Sequence, residues 1–93
     1  MKHFTIRFEI IDPQQSDYNS LKTILLTLNF TKTIKSHDGA AYILPQGEYR
    51  ISGQYEKEDV LKLAISAIER ITSSYRILVT ESAGTVWTKL KKA

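Results

Sequence analysis

The chain has 93 residues, 42% of them hydrophobic and 25% charged, an ordinary balance for one small globular domain. The absence of cysteine excludes a disulfide scaffold, a thiolate zinc site and thiol catalysis. No apolar run approaches the ~18 residues of a membrane span. The opening MKHFTIRFEI is too short and too polar for a signal peptide, so the expected setting is the cytoplasm, with no membrane partner. Thirteen basic side chains face ten acidic ones, but Lys89, Lys91 and Lys92 fall at the very end, which leaves a neutral body with a basic tail.

In chain order, Phe4, Ile6, Phe8 and Ile10 alternate with Thr5, Arg7 and Glu9, a period of two that predicts a strand with one face on a core. Asp12-Pro13 ends it, because proline donates no ladder hydrogen bond and restricts the residue before it. Ser16 or Asp17 is the expected N-cap of a helix over about Tyr18–Leu28, with Tyr18, Leu21, Leu25 and Leu28 on its apolar stripe. Asn29 is suited to the left-handed turn that closes it. Phe30–Ser36 reads as a second strand, His37-Asp38-Gly39 as a turn, Ala40–Leu44 as a short extension and Pro45-Gln46-Gly47 as a break. Glu48–Tyr55 alternates as a third strand. A second helix follows, with Glu56, Glu58 and Asp59 at its N-terminal end and a stripe of Val60, Leu61, Ala64, Ile65, Ile68 and Ile71. Tyr75–Thr80 is a fourth strand and Thr85–Leu90 a short fifth.

The order strand, helix, strand, strand, helix, strand predicts a single α+β domain over residues 1–93. Its expected form is a ferredoxin-like βαββαβ fold with a short extra C-terminal strand, an antiparallel sheet and both helices on one face. The expected core is Phe4, Ile6, Phe8, Leu21, Leu25, Leu61, Ile65, Ile68, Ile77 and Val79. Such a fold leaves one sheet face open. With Ile34, Ile51 and Ile77 turned inward, Arg7, Arg50, Arg76 and Lys35 gather on that face around Glu9. This makes either a phosphate-binding or subunit-pairing surface, or a solvated face laced with ion pairs. The tail, with Val86, Trp87, Leu90 and three lysines, either pairs with an edge of a second copy or covers its own chain. A chain this short buries only about 60–65% of its unfolded surface. Together with the strand-like tail, that thin core makes a homodimer the expected state.

His37 is of the residue type that serves as a general acid or base, but beside Asp-Gly a histidine is far more often a turn residue; His3 is expected to be exposed. No serine has an activating partner, and no glycine motif for phosphates is present. Asp12, where the first strand runs out, is a candidate ligand for a divalent cation, although the residues alone favour an Asp-Pro turn over that role.

Phe8-Glu9-Ile10-Ile11-Asp12, the helix running into Leu28-Asn29-Phe30, the loop with Gly39 and the extra C-terminal strand are similar to a small ferredoxin-like endoribonuclease group. That group comprises CRISPR-associated adaptation nucleases, VapD-type proteins and the GhoS-type antitoxin. The resemblance implies an RNA-directed protein, either a metal-dependent endoribonuclease or an RNA-binding antitoxin. It implies Asp12 as catalytic and metal-binding residue, with Mg²⁺ at a dimer interface; contacts to RNA would fall to the basic groups Arg7, Arg50, Arg76, Lys35, Lys89, Lys91 and Lys92, because phosphates bind where cations cluster. Pro13-Gln14-Gln15-Ser16 stands where a basic run often follows that aspartate. The alternative is a non-enzymatic homodimeric module that binds a protein, such as a phage- or plasmid-type regulator or inhibitor.

Overall fold

A computed structural model describes residues 1–93. β1 (Lys2–Ile10) is the middle strand of the main sheet, and its alternation divides the molecule. Phe4, Ile6, Phe8 and Ile10 are buried, while His3, Arg7 and Glu9 are exposed on the other face. On one side β1 pairs antiparallel with β5 (Tyr75–Glu81) and on the other with β4 (Glu48–Gly53). Beyond β4, Thr31 and Arg50 exchange two backbone hydrogen bonds of 2.7 and 2.9 Å, which sets the start of the second strand region in the fourth position. β2 (Thr33–Lys35) and β3 (Ala41–Ile43) then form a small hairpin of their own. With α1 (Asp17–Thr27) and α2 (Lys57–Ile68) over one sheet face, the fold is ferredoxin-like α+β. No helix is long and apolar enough to cross a membrane.

The core lies between that face and the helices. Phe8 meets Phe30 and Tyr49 edge to face, with centroids 6.4 and 5.7 Å apart. Leu21 and Leu25 come from α1, and Val60, Ala64, Ala67 and Ile68 from α2. Ile65, Ile77 and Val79 are half-buried, the last two packed against the core. Leu61 is not in the core: it is 38% exposed. The buried residues of α2 recur at i, i+4, i+7 and i+8 from Val60, and Leu61, turned about 100° from Val60, falls just past the edge of that stripe. The buried alanines bring helix and sheet close, a role that size alone conceals.

At α1, Ser16 occupies the N-cap position but its side chain makes no capping bond. The Asp17 carboxylate instead accepts the Gln14 amide at 2.8 Å, so it tightens the preceding turn and does not serve the helix. Asn29 closes the helix at φ +70° as expected. Thr85–Leu90 is not a regular strand. The extra C-terminal pairing falls further on, as a bridge between Lys92 and Tyr42 of β3. Ile34 is buried, but outside the helix-side core; it and Leu44 lie under the tail. Its cross-strand partner Tyr42 packs against Trp87 with centroids 5.6 Å apart, and antiparallel partners share a face.

Candidate functional site

β5 and the β2–β3 hairpin lie on opposite sides of β1, so the tail must cross the open face to join them. Its route is marked by its bonds. The Ser82 amide donates to the His3 carbonyl on β1 at 2.8 Å, and Arg50 of β4 donates through Nη1 to Thr85 Oγ1 at 3.4 Å. Trp87 then reaches Tyr42, the Ile43 amide donates to the Lys91 carbonyl at 2.8 Å, and the Ala93 amide donates to the Ala41 carbonyl at 2.9 Å. The tail therefore pairs within its own chain.

Between this crossing segment and the sheet lies a cavity of about 710 Å³. The sheet and hairpin side supplies His3, Lys35, Ser36, His37 and Arg50, and the tail supplies residues 82–87. Each is there for a local reason. His3 and Arg50 have the outward parity of their strands, and Arg50 is fixed at both backbone atoms by Thr31. Ser52 Oγ lies 2.6 Å from His3 Nδ1, which orients that imidazole. His37 sits in the β2–β3 turn, where Gly39 has φ +87°. The Ser36 hydroxyl, then the Ala40 amide, donate to the Asp38 carboxylate; these bonds hold its pKa below the ordinary carboxylate value and pin the turn.

The lining contains a lysine, an arginine, two histidines and three hydroxyl residues, and no carboxylate. Chemically it is an open hollow whose exposed lining is mainly apolar, Trp87 included, with two cationic side chains and several donors at hand. A second hollow of about 300 Å³ adjoins it, where Ile34, Leu44, Trp87 and Leu90 meet beside Glu48.

The expected cations thus divide. Lys35 and Arg50 line the cavity. Arg76 is engaged by Glu9 at 2.7 Å, and Arg7 faces Glu48 at 3.9 Å. Exposed pairs of this kind contribute little stability, yet they cancel charge on that part of the face. Glu48 is a second acid there beside Glu9; its parity with Arg50 and Ser52 was the available signal. Lys89, Lys91 and Lys92 are on the tail beyond Trp87 and do not line the cavity. Lys89 has φ +63° where the tail turns toward β3.

Asp12 is exposed, at φ +49°, a left-handed turn that aspartate tolerates. It lies beyond Ile10, the last residue of β1, and the rise from His3 to Ile10 alone is about 23 Å. No three histidine, aspartate or glutamate side chains of the chain converge into a metal-holding group. A cation at Asp12 would take its remaining ligands from outside this chain.

Lys32 is a group that pattern reading passed over. Its ammonium donates to the Pro45 and Glu48 carbonyls at 2.5 and 3.0 Å and lies 4.5 Å from the Tyr49 ring centroid. Burial lowers its pKa to about 8, against the raising influence of Glu48.

No known protein family matches this sequence, and no curated protein is significantly similar to it.

Proposed function

We propose that this chain is an RNA-directed binding protein that holds a single phosphodiester strand in the cavity under its tail, the role of an RNA-binding antitoxin. One observation carries the reading: the cavity lining has Lys35, Arg50, His3 and His37 and no acid. Lysine and arginine supply fixed positive charge for a phosphate, and the hydroxyls of Ser36, Ser82 and Thr85 suit its oxygens and a ribose. Trp87 offers a ring face to a base, the sequence-tolerant contact of single-strand binders. The cavity volume is in the range of small-ligand sites, so it takes a nucleotide or two and not a duplex. A cysteine-free chain fits a reducing compartment such as the cytoplasm, where RNA is at hand.

The nuclease branch of the resemblance has less support. One carboxylate does not make a Mg²⁺ site, and Asp12 lies past the end of β1 opposite to His3.

The test is fluorescence anisotropy of a labelled single-stranded RNA at about 50 and 200 mM salt. Binding should weaken steeply between the two. Arg50→Ala and Lys35→Ala should each weaken it roughly fivefold to tenfold, while Arg7→Ala, Arg76→Ala and Asp12→Ala leave it within about twofold. No binding at the lower salt overturns the reading, as does a loss that follows Arg7 and Arg76 but not Arg50.

A further inference from the structure

The outer edge of β5 is left unpaired within the chain. Ser74 and Ser82, flanking the strand, bond to Ile11 and His3 of the β1 segment, so the ladder alternation directs the backbone groups of Arg76, Leu78 and Thr80 toward β1. The N–H and C=O groups of Tyr75, Ile77, Val79 and Glu81 therefore point away from the sheet. No strand lies on that side. The edge runs seven residues in unbroken register, with no lysine, proline or bulge to blunt it. At its middle Leu78 is 65% exposed on a face whose other outward groups on β5 are Arg76 and Thr80.

We infer that this edge pairs antiparallel with the same edge of a second copy, about a two-fold axis at Leu78. The strand is self-complementary in that register and in no neighbouring one. The dyad sets Ile77 opposite Val79 and Tyr75 opposite Glu81, so every outward group meets an outward group. Shifting one copy by one residue would set outward groups against groups already bonded to β1. Leu78 meets Leu78 of the second copy at the close, non-hydrogen-bonded position, where side chains approach most nearly. Charge agrees with the antiparallel sense. Arg76 comes opposite Thr80 of the other copy on the same face, so no like charges meet, whereas a parallel pairing would place Arg76 on Arg76 and Glu81 on Glu81. The axis is normal to the sheet, so the helices of both copies stay on one side and both cavities open on the other. The dimer does not depend on what the cavity binds, and the tail takes no part in it.

Sedimentation velocity over a concentration series up to about 200 µM tests the inference, with Leu78→Lys as the variant. The wild type should reach a dimer. Leu78→Lys, altering a solvent-facing side chain, should keep the far-UV spectrum and raise the dimer dissociation constant at least about tenfold. In the wild type, exchange of the Ile77 and Val79 amides should slow as concentration rises, a readout independent of any variant. A monomer throughout overturns the inference. So does a dimer indifferent to Leu78→Lys, or one whose formation leaves exchange at Ile77 and Val79 unchanged.

Discussion

The two edges of the sheet carry the same kind of backbone donors and acceptors and are treated in opposite ways. At the β4 side the chain adds only the Thr31 bridge, then a hairpin of three-residue strands, and the tail closes over it with Trp87 on Tyr42. Three lysines sit on that closing segment. At the β5 side the edge is long, regular and bare, with an exposed leucine at its centre. The chain covers one edge with its own residues and leaves the other in pairing register, the condition in which an edge can accept a further strand. The difference also teaches that the basic tail is not a free polycation: its backbone is part of the fold.

Perturbations should separate what the edges share from what they do not. The largest effect is expected from Phe8→Ala, at the strand common to both. Phe8 is 2% exposed, and its loss should cost roughly 3–5 kcal/mol in denaturant unfolding, with both edges melting in one transition. Two transitions would mean that the edges are separate units. Gly47→Ala comes next. Gly47 has φ +81°, and a Cβ there would collide with the Phe8 carbonyl oxygen. The strain should cost about 1–3 kcal/mol or more and loosen the turn that delivers β4 to β1.

Trp87→Ala should break the comparison at one side only. The half-buried ring covers Ile34 and Leu44, so its removal should cost about 1–2 kcal/mol. Amide exchange should rise at Ile43 and Ala93, whose bonds tie tail to hairpin, and stay unchanged at Leu78 and Thr80. Equal loss at both edges would contradict a tail that acts locally.

The smallest effect is expected from Lys32, which staples the start of the hairpin region to the loop before β4. Burial lowers its pKa from 10.5 to about 8 in the folded chain. From pH 8 to 10 the folded protein releases this proton while the unfolded chain retains it, so the group's contribution makes folding more favourable as pH rises. Wild-type stability should therefore increase over that window relative to Lys32→Met. The gain should be under about 1 kcal/mol, since the half-exposed site is screened by solvent. Above pH 10 Tyr49, raised by burial to about 12, works in the opposite direction: its folded hydroxyl keeps a proton that the unfolded one loses. A flat difference between wild type and Lys32→Met from pH 8 to 10 would show that the ammonium is not desolvated.

How far the sequence could be read depended on the range of the forces involved. The β1 alternation, both helices, the Asn29 turn and the turn at His37–Gly39 are local patterns, and each took its expected place. Ile34 was legible as buried but not as to what buries it, because the answer is a tail that arrives more than fifty residues later. For the same reason Lys35 and Arg50 could be named, but the histidines could not be joined to them. His3 and His37 meet the same cavity only once the tail has crossed the open face. Leu61 was misplaced because apolar character widened the helical stripe beyond what packing accepts, whereas Ala67 carries too little side chain to advertise its burial. Glu48 was readable from strand parity alone.

Trp87 is the only tryptophan, and it lies on the wall of the cavity. Its emission, followed during titration with a short single-stranded RNA at about 50 mM salt, therefore reports on the proposed site itself. The account predicts a saturable change that is reversed by raising salt and is weakened roughly fivefold to tenfold in Arg50→Ala. An RNA that binds the protein while Trp87 emission stays constant, or a change equally strong in Arg50→Ala, would contradict it.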